Sequence, residues 1–223
     1  MTRRLAACAI MLLLAGCASA PTTYLTLAPV PGETVPGTGV VAVAPVQMPP
    51  ALDRLRLTRA GGPEVIHVAP HTRWVAPLGG MIRRVLARDL AQRLPDAAVR
   101  MPGDPLPPGR LRLVRVNLLR FMPVTGSAVP AHVVLDADWE EATRRAGHRL
   151  VKGRTTQGRA RWVVPAGAGG PAQAAAMSTA LGRLADRIAA TLGHLSRPAH
   201  RPAKRGPAAV ERYGPRVVRP GGV

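Results

Sequence analysis

Aromatic residues are almost missing from this chain: its 223 residues hold three Trp, two Tyr and one Phe. Without interleaved aromatics a single-stranded nucleic acid finds no stacking platform, so a formal net charge of +19 calls for another partner or another cause. Cysteine is as scarce. Cys8 and Cys17 are the only two, which excludes a disulfide framework and a thiolate-built metal site in the body of the protein. Lysine occurs only as Lys152 and Lys204, so nearly all the positive charge is arginine, scattered along the chain and set against 12 acidic residues. Scattered arginine fits a compositional bias first and attraction to anionic lipid second; nucleic-acid binding ranks behind both. The apolar run at the start, Leu5 to Ala15, is far shorter than the ~20 residues a spanning helix needs.

What is present at the N-terminus is an address. Arg3 and Arg4 precede that uncharged run, which ends in small residues, the order of a secretory leader. Leu14-Ala15-Gly16-Cys17 resembles the lipobox of bacterial lipoproteins, in which the cysteine is lipidated, the chain is cut just before it and the new N-terminus is acylated. A conventional leader cut near Ala18-Ser19-Ala20 is the alternative. Several acyl chains on Cys17 make a stable anchor where one would bind only weakly. Cleavage at Cys17 also removes Cys8, Arg3 and Arg4, leaving a single cysteine and a chain that is still strongly basic. By resemblance to the enterobacterial sorting rule, Ala18 after the cysteine favours the outer membrane.

Residues 1–16 are thus expected to be a signal peptide and 17–38, rich in Pro, Thr and Gly, a lipidated start and tether. Within that stretch Tyr24-Leu25-Thr26-Leu27 alternates and can pair as a short strand. The domain is placed at 39–195. Gly39 to Val46 is a β-branched run, and Leu52–Thr58 and Glu64–Val68 flank the Gly61-Gly62-Pro63 turn as a hairpin. Leu78, Ile82, Leu86, Leu90 and Leu94 recur every four residues between Pro77 and Pro95, an amphipathic helix with Arg83, Arg84, Arg88, Asp89 and Arg93 on its other faces. Arg110–Phe121 is a long strand whose pattern slips after Leu113, which implies a bulge or burial on both faces. His132–Trp139 and Leu150–Val164 continue a meander. A last helix, about 172–195, carries Met177, Leu181, Leu184, Ile188 and Leu192. These elements predict an α+β fold, a mostly antiparallel sheet of about six strands covered by two amphipathic helices. Residues 196–223, rich in Pro, Arg and Gly, predict a disordered basic tail.

Catalytic patterns are weak. Asp136, Asp138 and Glu140 share one strand face, but it is the face opposite Val133, Leu135 and Trp139 and beside many arginines, so a solvated face is the expected reading over a carboxylate site. His67, His71, His132, His148, His194 and His200 are too dispersed for a ligand set, and His67 and His71 fall in a strand-to-loop segment. No phosphate loop or nucleophile motif occurs. The sequence implies no enzyme, no cofactor and no metal. Two segments are less generic. Met48-Pro49-Pro50-Ala51-Leu52-Asp53-Arg54 is proline-stiffened, and Trp74 stands one helical turn ahead of the first helix, where it can plug the junction of helix and sheet or serve a partner.

Those segments carry a family resemblance. Together with the lipobox, the Tyr24–Leu27 start, the valine-rich strand leading to Pro49 and Leu52-Asp53-Arg54, Trp74-Val75-Ala76-Pro77-Leu78, the helix Ile82–Ala87 and the terminal helix, the chain from Cys17 to Leu195 resembles the auxiliary lipoproteins of Pqi-type ABC transport systems, the PqiC/YmbA-like family. The basic tail departs from that pattern. The resemblance implies a non-catalytic, outer-membrane-anchored subunit facing the periplasm. Its partners would be a lipid-binding bridge protein of the MCE class and the ABC permease and ATPase, with a homo-oligomeric ring as a further implication. For partner contacts Pro49, Pro50, Leu52, Asp53, Arg54 and Trp74 are the candidates. The alternatives are a structural lipoprotein holding envelope polyanions through arginine, and a hydrolase using the Asp136/Asp138 face.

Overall fold

The computed structural model describes residues 20–62, 64–107, 110–126, 130–145 and 155–196. The signal segment, Cys17, the 146–154 connection with Leu150 and the tail after Ser196 lie outside them. Ten elements follow in order: β1 (Thr23–Leu25), β2 (Gly39–Val43), β3 (Arg56–Ala60), β4 (Ile66–Trp74), α1 (Leu78–Arg93), β5 (Ala97–Arg100), β6 (Arg110–Val124), β7 (His132–Arg145), β8 (Thr156–Pro165) and α2 (Gly170–Ser196).

The class is α+β with two helices, as expected, but the sheet has eight strands and is mixed. Among the described residues only β3/β4, β6/β7 and β7/β8 are antiparallel. β1 runs parallel to β4, β2 to both β5 and β6, and β3 touches the end of β6 in parallel. The expectation of a mostly antiparallel sheet came from hairpin turns between successive strands. It missed that the crossover through α1 returns the chain beside β2, where parallel pairing is the natural outcome. β5 was unseen because Ala97-Ala98-Val99-Arg100 carries little strand signal.

The sheet forks around β6. One side of β6 carries β7 along its length; the other carries β2 low down and β3 at the top. Pro45 ends β2, yet the chain keeps to β6 through Ala44 N–H to Val114 O (2.9 Å) and Gln47 N–H to Val116 O (3.0 Å). The slip in the β6 pattern after Leu113 has one of its two anticipated causes, burial on both faces; the bulge comes further along the strand. Leu111 is buried on one face and Val114, Val116 and Leu118 on the other, and a bulge between Leu118 and Arg120 brings Phe121 back to the second face.

Both helices cover that second face. Ile82, Leu86 and Leu90 of α1 and Leu181, Leu184 and Leu192 of α2 are fully buried in one core, α1 packing on β2, β5 and α2, and α2 on β7 and β8. Beneath them lie two charges. Asp89 and Arg93, one helical turn apart on α1, are 0% and 1% exposed. The composition of residues 17–38 predicts a tether, but from Thr23 onward the structure binds this segment to the domain. After β1 the strap lies across the helices: Ala28 N–H donates to Ser178 Oγ (3.1 Å), Val30 N–H to Asp89 Oδ1 (2.8 Å) and Val35 N–H to Arg93 O (2.8 Å). Close approach requires glycine on α2: a Cβ at Gly182 would stand 3.1 Å from Val30 Cβ, and one at Gly193 2.9 Å from Pro36 O.

Candidate functional site

The strap is locked by a network centred on Arg93. Its Nε donates to Asp186 Oδ1 (2.5 Å), Nη1 to Val30 O (2.9 Å) and Asp89 O (3.1 Å), and Nη2 to Gly182 O (3.2 Å). One guanidinium thus joins α1, α2 and the strap, a geometry that lysine cannot reproduce. Asp89 is less well served. Its Oδ1 takes Val30 N–H and lies 4.0 Å from Arg93 Nη1, but its Oδ2 is buried without a partner. Burial pushes its carboxyl up to about 6, against the lowering effects of the Val30 N–H and the Arg93 charge.

A cleft of about 1180 Å³ lies on the outward side of β2, β6, β7 and β8 and reaches Arg83 of α1 at its edge. Its floor is a set of cross-strand rows: Arg100–Ala42–Leu113, then Arg115–Glu140–Gln157, then Asn117–Asp138–Arg159. Each floor carboxylate is taken. Arg159 holds both oxygens of Asp138 (2.5 and 3.0 Å), and Arg115 Nη1 lies 3.5 Å from Glu140 Oε1. The hydrogen bonds from Arg159 hold the Asp138 carboxyl below the usual carboxylate range, the opposite of what a general acid needs. Asp136, Asp138 and Glu140 are brought to the one face predicted, Asp138 and Glu140 as arginine-paired surface groups and Asp136 between Arg120 and Arg161 in the strand register. Among the described residues no group of three His, Cys, Asp or Glu could hold a metal ion. His67 and His71 both fall within β4, which runs on to Trp74, rather than in a strand-to-loop segment; both are exposed.

The partner-binding candidates divide. Pro49, Pro50, Asp53 and Arg54 are exposed. Leu52 and Trp74 are each 3% exposed, so neither side chain can present a surface to a partner. Leu52 turns inward through Leu52 N–H to Pro49 O (2.9 Å). Trp74 ends β4 opposite Leu25 and plugs the core at the entry to α1. Asp53 has a structural use: its Oδ1 accepts Gly79 N–H (3.3 Å), placing negative charge at the N-terminus of α1, whose own flanking Pro77 offers no capping side chain.

A family model described as "ABC-type transport auxiliary lipoprotein component" matches residues 25–189. The chain belongs to this family. The match begins at Leu25, the last residue of β1, and runs through the strap, both forks of the sheet and most of α2, so the strap is part of the family domain. A solved structure described only as an uncharacterized protein superposes with a TM-score of 0.57 at 16% identity, covering 79% of this chain and 99% of that one. A protein from Xanthomonas campestris gives 0.52 at 17% identity, with 78% and 94% covered. At such identities these likenesses show the fold. A putative lipoprotein from Caulobacter crescentus gives a TM-score of 0.36 at 18% identity, covering 54% of this chain and 86% of that one. Among curated proteins none matches the chain. As an auxiliary lipoprotein of an ABC-type system, this protein is placed at a membrane of the cell envelope. Among the described residues no helix is long and apolar enough to cross one.

Proposed function

We propose that the protein is a non-catalytic subunit of a Pqi-type intermembrane lipid transport system, held on the outer membrane through acylated Cys17 and docking the far end of an MCE-class bridge protein. Membership in the auxiliary lipoprotein family supports the transport role, and Leu14-Ala15-Gly16-Cys17 supports the anchor. The observation that carries the geometry is the docked strap. Read as a tether to residue 38, the N-terminal segment would let the domain roam roughly 70 Å from its anchor. With Thr23 already paired to Thr72, only five residues lie between Cys17 and the sheet, at most about 20 Å of chain. Such a leash holds the domain against the bilayer, where a path that keeps lipid chains from water must end; each exposed CH₂ costs about 0.8 kcal/mol.

The test is purification from the native membrane in mild detergent through an affinity tag placed after residue 223. Recovery of an ABC permease, its ATPase and an MCE-class protein in constant ratio is the expected result. Recovery of the protein alone, or with lipopolysaccharide that salt removes, would replace the transport reading with that of a structural envelope lipoprotein.

A further inference from the structure

The chain enters the sheet at β1, and the strand ends gathered there form a surface that neither the core nor the cleft uses. Tyr24 pairs with Arg73, and Arg73 with Arg56, so Tyr24, Arg73 and Arg56 form one row across β1, β4 and β3. The adjacent row, Leu25 with Trp74, faces the core, so the Tyr24 row faces outward. Val75 follows on the outward side, fixed by its N–H to Leu25 O (2.9 Å), and Leu55 closes the other edge by accepting Trp74 N–H (2.7 Å). Tyr24 is 63%, Val75 57% and Leu55 51% exposed, high values for such side chains.

The charges are equally unusual. Arg56 and Arg73 are direct cross-strand partners, an arrangement of like charges that destabilises a sheet unless an anion lies between them. Among the described residues neither of them, nor exposed Arg54, forms an ion pair with a carboxylate, and Arg73 Nε is buried with no partner. Arg93, Arg112, Arg115 and Arg159 have carboxylate partners, while exposed Arg84, Arg88, Arg183 and Arg187 form no ion pair among the described residues either; what sets this cluster apart is a like-charged cross-strand pair beside three exposed apolar side chains.

We propose that this surface, with Tyr24, Leu55 and Val75 as apolar contacts and Arg54, Arg56 and Arg73 as the cations, seats the domain on an anionic phospholipid bilayer. An aromatic hydroxyl, two aliphatic side chains and a cluster of guanidiniums suit the headgroup boundary, where rings and arginine stems bury their apolar parts and keep polar ends at the phosphates. The leash decides in favour of a membrane over a protein partner. Six residues lie between Cys17 and Tyr24, a reach of at most about 25 Å, so the bilayer holding the acyl chains is present at high effective concentration and needs no search. The inference rests on the anchoring at Cys17 for its position. Seating would fix the orientation of the domain, leaving α1 and α2 on the opposite face of this sheet arm.

The experiment is flotation of the mature chain, residues 17–223, carrying Cys17→Ser so that no acyl chain contributes. The probes are vesicles of phosphatidylcholine mixed with phosphatidylglycerol and vesicles of phosphatidylcholine alone. Binding to the anionic vesicles that weakens with salt is expected. Arg56→Gln with Arg73→Gln should weaken it about 25-fold, taking roughly fivefold for each arginine at an anionic surface, with the melting temperature unchanged or raised. Arg183→Gln with Arg187→Gln, two exposed arginines of α2, should change it less than about twofold. Equal losses in the two pairs would show that overall charge alone binds and would overturn the proposal. So would full vesicle binding by the Arg56/Arg73 variant combined with loss of the co-purifying transporter, which would mark the surface as a protein dock. Failure of the Cys17 anchor reads out separately, because this protein carries no acyl chain.

Discussion

Arg93→Met is expected to lower the unfolding free energy by about 3–5 kcal/mol in urea denaturation, as much as truncating a large core side chain. Methionine keeps most of the volume, so the loss reports charge and hydrogen bonds rather than a cavity. The substitution strands the carbonyls of Val30, Asp89 and Gly182 and leaves Asp89 buried without its cation. Asp186, half exposed, is simply rehydrated. Removing Asp89 as well, with Asp89→Leu, should restore part of the loss, because a buried pair replaced whole costs far less than a pair broken. A single-variant loss below about 1 kcal/mol would mean that the strap is held by its apolar contacts and its other backbone bonds, not by this network.

The second large effect is a pH dependence with an unusual sign. The Asp89 carboxyl, pushed up to about 6 from 3.8, binds its proton more tightly in the folded protein than in the unfolded chain. Stability from this group is therefore fully present below about pH 4 and is lost as the pH rises through 6, because the fold must then carry a buried carboxylate. At 1.36 kcal/mol per pKa unit the change approaches about 3 kcal/mol. The direct check is the difference in unfolding free energy between the native protein and Asp89→Asn at pH 4.5 and pH 7. Asparagine keeps an acceptor for Val30 N–H without the titration, so the native protein should lose ground against the variant as the pH rises. A constant difference would show that Arg93 keeps Asp89 ionised throughout.

Both effects involve residues whose roles the sequence hides in different degrees. The stripes Leu78–Leu94 and Met177–Leu192 are legible because a helix with one buried face must repeat its apolar residues every three to four positions. The hairpin around Gly61 and the two-sided character of β6 are legible for the same kind of reason. The apolar stripe places Asp89 and Arg93 on the other faces of α1, and the structure buries both. The available signal was their spacing of four, which makes an acid–base pair on one helix face, together with a glycine-bearing α2 that leaves room for another backbone. The strap carried no such signal, since its Pro, Thr and Gly composition is that of a linker and its partners are backbone groups far along the chain. Parallel pairing was invisible because periodicity reports which face of a strand is buried and not which strand lies beside it. At the candidate sites, the outward placing of Asp136, Asp138 and Glu140 beside arginines followed from composition and alternation. The burial of Leu52 and Trp74 did not follow from their neighbours, because a tryptophan before a helix serves equally as a plug or as a contact. The Arg56–Arg73 pair required the register of β3 on β4, which the irregularity between Arg56 and Thr58 conceals.

Intact-protein mass spectrometry of the chain extracted from its native membranes tests most directly whether this domain works at the end of a short lipid leash. A chain beginning at Cys17, heavier than its sequence by the glyceride and the N-terminal acyl group, is the predicted result. A chain beginning near Pro21 without added mass, or one that retains residues 1–16, would contradict it.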